Sequence, residues 1–132
     1  MDPLQNNFAE LVAISKRLRK ECAWDAEQTI DSFHKYVVGE AIEVQKAAEV
    51  KDYEELKEEL GDVFWNVMFM CNIANENNLF DLNDVIITVK EKMIRRHPHV
   101  FGNESNDMES IHKKWVEIKA QEKAEKEKRR LE

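Results

Sequence analysis

Scarcity of chain breakers constrains the fold of this sequence more than any other feature. Three glycines and two prolines occur among 132 residues, about a third of the roughly 12% usual for these two residue types together. The many tight turns of a β-sandwich or barrel depend on such residues, so we expect an all-α fold. The length fits a single domain over residues 1–132, which can bury a core without a metal or a disulfide.

Apolar residues recur at helical spacing in five segments of the chain. The segments begin at Asp2-Pro3, near Thr29, at Asp52, at Asp81 and near Met108. The second and third meet at a short connection around Lys51, which predicts an antiparallel hairpin at the centre of a helical bundle. Residues 21–26 and 98–106 interrupt the periodicity and are predicted loops. Residues 121–132 are nearly all Glu, Lys and Arg and are predicted to form a solvated helical tail.

The third segment becomes apolar on nearly every side between residues 63 and 70. A helix that lacks a polar face is buried on every side, and one bundle of this length cannot cover it alone. The pattern therefore predicts a subunit interface, in a homodimer or a dimer of dimers. The longest apolar stretch of the chain, residues 63–73, is interrupted by Asn66 and Asn72 and is too short to span a bilayer, so no membrane partner is expected.

Charge balance and cysteine content limit the partners and the compartment. Twenty basic and 27 acidic residues give a net charge of −7, which argues against binding to a nucleic-acid polymer. The start of the chain lacks the basic and apolar run of a secretory signal. The two cysteines form no zinc-ligand pattern and are expected to be reduced thiols. A cytoplasmic protein is therefore expected.

Four carboxylates are spaced so that a helix hairpin brings them together. Glu40 and Glu43 are three residues apart, as are Glu59 and Asp62, and such pairs share one face of a helix. About a turn centred on residue 51, Glu43 is opposite Glu59 and Glu40 is opposite Asp62. Oxygen ligands without Cys or His favour a hard cation, Mg²⁺ or Mn²⁺. The alternative is an ordinary acidic surface in an acidic protein.

Basic and aromatic side chains in the last two segments suit a nucleotide polyphosphate. Lys92 and Arg96 are four residues apart, as are Trp115 and Lys119, so each pair shares a helix face. The cations would balance phosphate charge, and the indole would stack on a base. The alternatives are cations that favour a helix C-terminus and a tryptophan that packs in the core.

Together these residues resemble the MazG-like nucleoside triphosphate pyrophosphohydrolases of the all-α NTP pyrophosphatase superfamily. The family's metal motif, Glu-Glu-x-x-Glu followed by Glu-x-x-Asp on the next helix, is matched at four acidic positions: Glu40, Glu43, Glu59 and Asp62. Two departures are Gly39, which replaces the first glutamate, and Ala23, which replaces a proline. Residues 22–29, 92–102 and 115–119 are similar to three further family motifs. The resemblance covers about residues 15–120.

The resemblance implies Mg²⁺-dependent hydrolysis of a nucleoside triphosphate between the α- and β-phosphates, with removal of non-canonical nucleotides as a role. The four carboxylates would hold the cation and form the catalytic centre, with Glu40 or Glu43 accepting the proton of the attacking water. Substrate contacts would come from Trp24, Asp25, Lys92, Arg96, Trp115 and Lys119. A nucleotide-sensing module without turnover is the alternative that Gly39 suggests, and a helical dimer with an inert acidic cluster is a third.

Overall fold

The computed structural model describes residues 2–132, and all regular structure in that range is helical. Seven helices follow one another along these residues: α1 (Pro3–Glu21), α2 (Ala23–Glu27), α3 (Ile30–Glu49), α4 (Tyr53–Glu76), α5 (Leu82–Arg96), α6 (Pro98–Phe101) and α7 (Met108–Leu131). The all-α prediction is confirmed, and the five predicted helices correspond to α1, α3, α4, α5 and α7. Across the same residues, no helix combines the length and apolar character needed to cross a membrane.

Polar side chains at the helix starts explain where the long helices begin. Four residues act as N-caps, since a side-chain oxygen of each accepts a hydrogen bond from the backbone N–H three residues on: Asp2, Thr29, Asp52 and Asp107. Asp81 and Asp84 make the equivalent reciprocal pair of hydrogen bonds at the start of α5. Each cap satisfies an amide that has no partner within its helix. These local signals are the reason the starts could be predicted.

Two segments predicted as loops contain short helices instead. α2 follows a break at Cys22, and the Asp25 carbonyl within it accepts a hydrogen bond from the guanidinium of Arg19. α6 begins with Pro98, whose fixed φ angle suits the first position of a helix. Helices of about one turn present too few side chains to show apolar periodicity, so hydrophobic spacing could not predict them.

The described chain consists of two compact units, one ending at Val85 and the other formed by Ile86–Glu132. In the first unit, α3 packs along α4, and residues 50–52 join the two helices. Lys51 in this turn has a φ angle of 60°, a left-handed conformation that a non-glycine residue seldom adopts. The conformation lets the chain reverse direction within three residues.

Aromatic packing between α3 and α4 forms the core of the first unit. The ring centroids of Phe33 and Phe69 are 4.6 Å apart, and both side chains are buried with Ile73. The pairing of an early residue of α3 with a late residue of α4 shows that the two helices run antiparallel.

Two asparagines of α4 join it to the neighbouring helices. The Asn66 Nδ2 atom donates a hydrogen bond to the Tyr36 carbonyl in α3, with an N···O distance of 3.0 Å. The Asn72 Nδ2 atom donates to the Ser15 hydroxyl in α1, with an N···O distance of 2.9 Å. The Asn66 side chain is buried and that of Asn72 is half-buried. Amide groups removed from water are costly unless they are hydrogen-bonded, so each bond favours one register between its two helices.

In the second unit, the buried side chains of α7 are Ile118 and Glu122. The Glu122 carboxylate accepts hydrogen bonds from Arg95 and Arg96 of α5. The prediction of a solvated tail over residues 121–132 is therefore wrong at Glu122, although the other residues of that range are exposed. Glu122 is buried because it forms ion pairs with arginines of α5, more than 25 residues earlier in the sequence. A run of Glu and Lys residues gives no indication of such a pairing.

Candidate active site

Three of the four predicted metal-binding carboxylates lie together in the first unit. Glu40 of α3 and Glu59 and Asp62 of α4 each offer one oxygen, and these oxygens lie within 4.8 Å of one another. Glu59 is only 9% exposed, although its ionised form would normally be solvated. The antiparallel packing of α3 on α4 brings the three side chains to one level, as the spacing about residue 51 predicts.

The inner oxygen of Glu40 is the most unusual atom of this cluster. Glu40 Oε2 is buried and has no hydrogen-bond partner among the described residues. The pKa of the neighbouring Glu59 carboxyl is raised, first because its protonated form can share a hydrogen bond with Glu40 and then because of burial and the charges of Glu40 and Asp62. A crowded site of this kind suits a cation, which would give Glu40 Oε2 a partner and would balance the negative charge around Glu59.

Two further glutamates flank the cluster. Glu43, the fourth predicted ligand, lies outside the group of three, and its carboxylate forms an ion pair with Lys46 at 3.5 Å. Glu55 was not predicted to belong to the site, but the pKa of its carboxyl is raised by a hydrogen bond with Glu59, with burial and nearby charges that include Glu43 contributing less. The spacing of four residues between Glu55 and Glu59, which places them on one face of α4, could have indicated that Glu55 lies beside the cluster.

Gly39 is the position at which the sequence departs from the motif. Among residues 2–132, no atom outside the adjoining residues and the backbone of α3 itself lies within 4 Å of the place that a Cβ atom of residue 39 would occupy. The space beside the carboxylate cluster therefore admits a side chain at this position, and packing does not require glycine there.

Arg96 and Lys119, two of the predicted phosphate-binding residues, line one cleft in the second unit. The cleft has a volume of about 440 Å³. Lys92 lines a separate cleft of about 420 Å³ together with Arg95 and Arg129. The guanidinium of Arg96 is already paired with Glu122, with a shortest N···O distance of 2.7 Å.

The predicted base-stacking tryptophan lies on the surface of the second unit. Trp115 is 42% exposed, and its ring centroid is 6.5 Å from that of His97. A core-packing role would require a buried indole, so the exposure favours the functional alternative for Trp115.

Trp24 and Asp25 belong to α2 in the first unit. The exposed Trp24 ring meets Tyr36 edge-on, with centroids 5.7 Å apart. Asp25 is half-buried and accepts the hydrogen bond from Arg19 through its backbone carbonyl. Tyr36 lies one turn before Glu40, so the Trp24 ring contacts the same helix that carries the first carboxylate.

Comparison with known proteins identifies the family. The model of the MazG nucleotide pyrophosphohydrolase domain matches residues 28–101. The chain belongs to the MazG family. The MazG match includes all four motif carboxylates together with Lys92 and Arg96, and the other four predicted substrate contacts lie outside it.

Curated relatives extend this MazG similarity over most of the chain. It is 44% identical over 126 residues to the nucleoside triphosphate pyrophosphohydrolase/pyrophosphatase MazG of Thermotoga maritima, covering 94% of this chain and 48% of that protein. It is 38% identical over 125 residues to the nucleoside triphosphate pyrophosphohydrolase of Escherichia coli K12, covering 92% of this chain and 48% of that protein. The chain therefore spans about half the length of these MazG relatives.

A solved structure supports the MazG fold. The crystal structure of a mazG-related protein from Thermotoga maritima matches with a TM-score of 0.75 at 29% sequence identity, covering 85% of this chain and 98% of that chain.

Proposed function

We propose that this MazG-family chain hydrolyses nucleoside triphosphates between the α- and β-phosphates, which gives a nucleoside monophosphate and pyrophosphate. The observation that carries the proposal is that the buried Oε2 atom of Glu40, beside Glu59 and Asp62, has no hydrogen-bond partner among residues 2–132. A carboxylate oxygen held without a donor is suited to a cation rather than to a structural hydrogen bond. The names of the Thermotoga and E. coli relatives support the same reaction.

Glu40, Glu59 and Asp62 would hold Mg²⁺, or Mn²⁺ in its place, and Glu43 is the proposed fourth ligand. When bound, the cation supplies charge stabilisation at the phosphates and lowers the pKa of a nearby water. Glu43 would have to exchange its present ion pair with Lys46 for the cation. That pair joins two exposed side chains, and such pairs contribute little stability, so the exchange costs little.

In the proposed reaction, a water oxygen attacks the α-phosphorus, and the bond from that phosphorus to the oxygen bridging to the β-phosphate breaks. The bridging oxygen leaves with the electron pair as part of pyrophosphate. The carboxylate of Glu40 or Glu43 accepts the proton of the water. Charge on the phosphates is balanced by three cationic side chains: Lys92, Arg96 and Lys119. Trp115 stacks on the base, and Trp24 and Asp25 complete the substrate contacts.

An assembly of two chains, or of four, is part of the proposal. Leu60, Phe64 and Val67 of α4 remain substantially exposed in the single chain, although they follow the apolar pattern that the sequence assigns to a buried helix. A second copy that covers this face would remove them from water, which is the main source of association free energy.

A nucleotide-sensing module without turnover is the second candidate function, and Gly39 favours it. The position is sterically open, so the missing glutamate is a change in chemistry rather than in packing. This alternative predicts cation-dependent binding of a triphosphate without product.

The test is pyrophosphate release from ribo-, deoxy- and base-modified triphosphates in the presence of Mg²⁺ or Mn²⁺. Wild type is compared with Glu40→Gln and with Glu58→Gln, an exposed glutamate of α4 outside the cluster. Release that is lost in Glu40→Gln and kept in Glu58→Gln supports the proposal, and preference for modified bases would support removal of non-canonical nucleotides. Binding without release by the wild type would favour the sensing module, and neither binding nor release would overturn both.

A further inference from the structure

Glu122 is a buried acidic side chain at the point where the sequence predicts the solvated tail to begin. It is 9% exposed, and its carboxylate is shared by two consecutive arginines of α5. Buried carboxylates are rare unless they are paired. The contacts of Glu122 therefore indicate a role in holding these two arginines.

The geometry distinguishes the two arginines. Arg96 donates from both Nε and Nη2, with N···O distances of 3.2 Å and 2.7 Å to Glu122 Oε1. Arg95 donates from Nε alone, at 3.2 Å. The Arg96 side chain is 15% exposed and that of Arg95 is 52% exposed. A two-atom contact to a carboxylate fixes the plane of a guanidinium, so Glu122 fixes the orientation of Arg96 much more firmly than that of Arg95.

The contact leaves part of the Arg96 guanidinium available. A guanidinium carries five N–H donors, and Glu122 engages only Nε and Nη2. The Nη1 atom has no hydrogen-bond partner within residues 2–132. Arg96 also lines the cleft of about 440 Å³, so an oriented and unused donor group borders an open volume.

The lining of this cleft favours an anion with several charges. Five cationic side chains border it: Arg96, Lys119, Lys123, Lys126 and Arg130. Two carboxylates border it as well, Glu122 and Glu127. The negative charge of Glu122 is already balanced by the arginines with which it pairs. The five cationic side chains outnumber the two carboxylates, so the cleft carries an excess of positive charge. Oriented guanidinium donors and flexible ammonium groups together suit the oxygens of a polyphosphate.

We propose that Glu122 is a positioning residue, which holds the Arg96 guanidinium so that its free donors bind a polyphosphate in this cleft. The identification of that polyphosphate with the phosphate chain of the substrate rests on the proposed function. Lys123 and Lys126 extend the phosphate-binding surface beyond the residues that the sequence predicted. Glu122 itself does not contact the anion and acts only through Arg96.

The test uses inorganic tripolyphosphate as the probe, with affinity measured by titration calorimetry on the full chain. In Glu122→Gln, the dissociation constant should rise about tenfold, which is the size of one lost charge-assisted contact. Glu127→Gln is the matched control, because it removes the same charge from the same cleft without touching Arg96. If cleft charge alone mattered, both variants would bind tripolyphosphate more tightly than wild type.

A double-mutant cycle separates positioning from a merely structural role. In an Arg96→Ala background, Glu122→Gln should cause no further loss of affinity, because the residue through which it acts is gone. Equal losses in both backgrounds would overturn the proposal, as would tighter binding by Glu122→Gln. Glu122→Asp keeps the charge on a shorter side chain and should lose less affinity than Glu122→Gln, which provides a second variant if Glu122→Gln unfolds.

Nucleotide hydrolysis is measured separately, so that the two proposals can fail independently. Pyrophosphate release that is unaffected by Glu122→Gln and Arg96→Ala would overturn the identification of the polyphosphate with the substrate, and would leave the hydrolytic reaction standing without Arg96 as a phosphate ligand. Tripolyphosphate binding that depends on Arg96 through Glu122, in a chain that releases no pyrophosphate, would support the positioning role and overturn the hydrolytic function. Absence of tripolyphosphate binding by the wild type would overturn the positioning role.

Discussion

The side-chain amide of Asn66 donates a hydrogen bond to the Tyr36 carbonyl, and the two residues lie equally far along the chain from Lys51, one on each side of it. The same symmetry relates Phe33 to Phe69 in the core. It also relates Glu40 to Asp62 in the carboxylate cluster. One register between α3 and α4 therefore sets the hydrophobic contact, the buried hydrogen bond and the candidate metal site together.

Replacement of Asn66 should weaken cation binding as well as stability. In Asn66→Ala the free energy of unfolding should fall by about 1–2 kcal/mol, because a buried hydrogen bond is lost. The dissociation constant for Mn²⁺ should rise about threefold to tenfold as the register loosens, since small displacements of ligands are costly in affinity. Urea denaturation and calorimetric titration with Mn²⁺ measure the two quantities.

Asn72→Ala is the control for this prediction, because Asn72 joins α4 to α1 through Ser15 rather than to α3. It should lower the free energy of unfolding by a similar amount and leave the affinity for Mn²⁺ unchanged. If both variants lost the same affinity for Mn²⁺, a general loss of stability rather than the register would be responsible.

Removal of one crowded carboxylate should stabilise the chain when no divalent cation is present. In EDTA, Glu40→Gln should melt about 3–5 °C above wild type, because repulsion among Glu40, Glu59 and Asp62 is relieved. In Mg²⁺ or Mn²⁺ the order should reverse, since wild type gains stability by binding the cation and the variant does not. Thermal melts with and without the cation test this, and identical shifts in both proteins would exclude Glu40 as a ligand.

A glutamate at position 39 should increase turnover. The site accepts a side chain without a clash, so Gly39→Glu should fold, and its carboxylate would restore the motif. Gly39→Ala is the control, because alanine gains about 1 kcal/mol of helix stability over glycine without adding a carboxylate. Initial rates of pyrophosphate release should rise several-fold in Gly39→Glu relative to Gly39→Ala. Equal rates would mean that the missing glutamate does not limit the reaction.

Stability that depends on Glu122 should be lost in acid. Hydrogen bonds from Arg96 lower the pKa of Glu122 from 4.5 to about 2, with a further contribution from Arg95. Because the pKa is depressed in the folded state, the unfolded state binds more protons between these values, and stability falls with falling pH. Wild type should exceed Glu122→Gln by roughly 1–3 kcal/mol in unfolding free energy at neutral pH.

This difference between wild type and Glu122→Gln should be constant above about pH 5 and should shrink toward zero as the pH falls to about 2. Urea denaturation of both proteins across this range gives the difference directly. A difference that persisted in strong acid would show that the stabilisation does not come from the ionised carboxylate.

Much of the fold and part of the site could be predicted, because their determinants are local. Apolar spacing and caps such as Asp2 and Asp52 identify long helices, and a turn of three residues leaves two adjacent helices little choice but to pack antiparallel. The approach of Glu40 to Asp62 follows from that symmetry, and Glu59 joins them because it shares a helix face with Asp62.

The remaining features are not decided by the spacing of residues along the chain. Glu43 has the spacing of a metal ligand, but its side chain pairs with Lys46. Whether Glu43 turns toward the other carboxylates or toward Lys46 depends on the three-dimensional structure and not on the spacing. Glu122 follows Ile118 at the spacing of the buried stripe of α7, yet its burial depends on Arg95 and Arg96 more than 25 residues away.

The symmetry about Lys51 has a consequence for how this sequence can change over time. Surface connections usually tolerate added or deleted residues. A residue inserted into either helix between Glu40 and Asp62 would instead rotate one side of the cluster by about 100° around its helix axis. Natural variation in length is therefore expected in the connection at residues 50–52 and outside residues 40–62, and the number of helical residues on either side of that connection is as much a part of the site as the identity of its carboxylates.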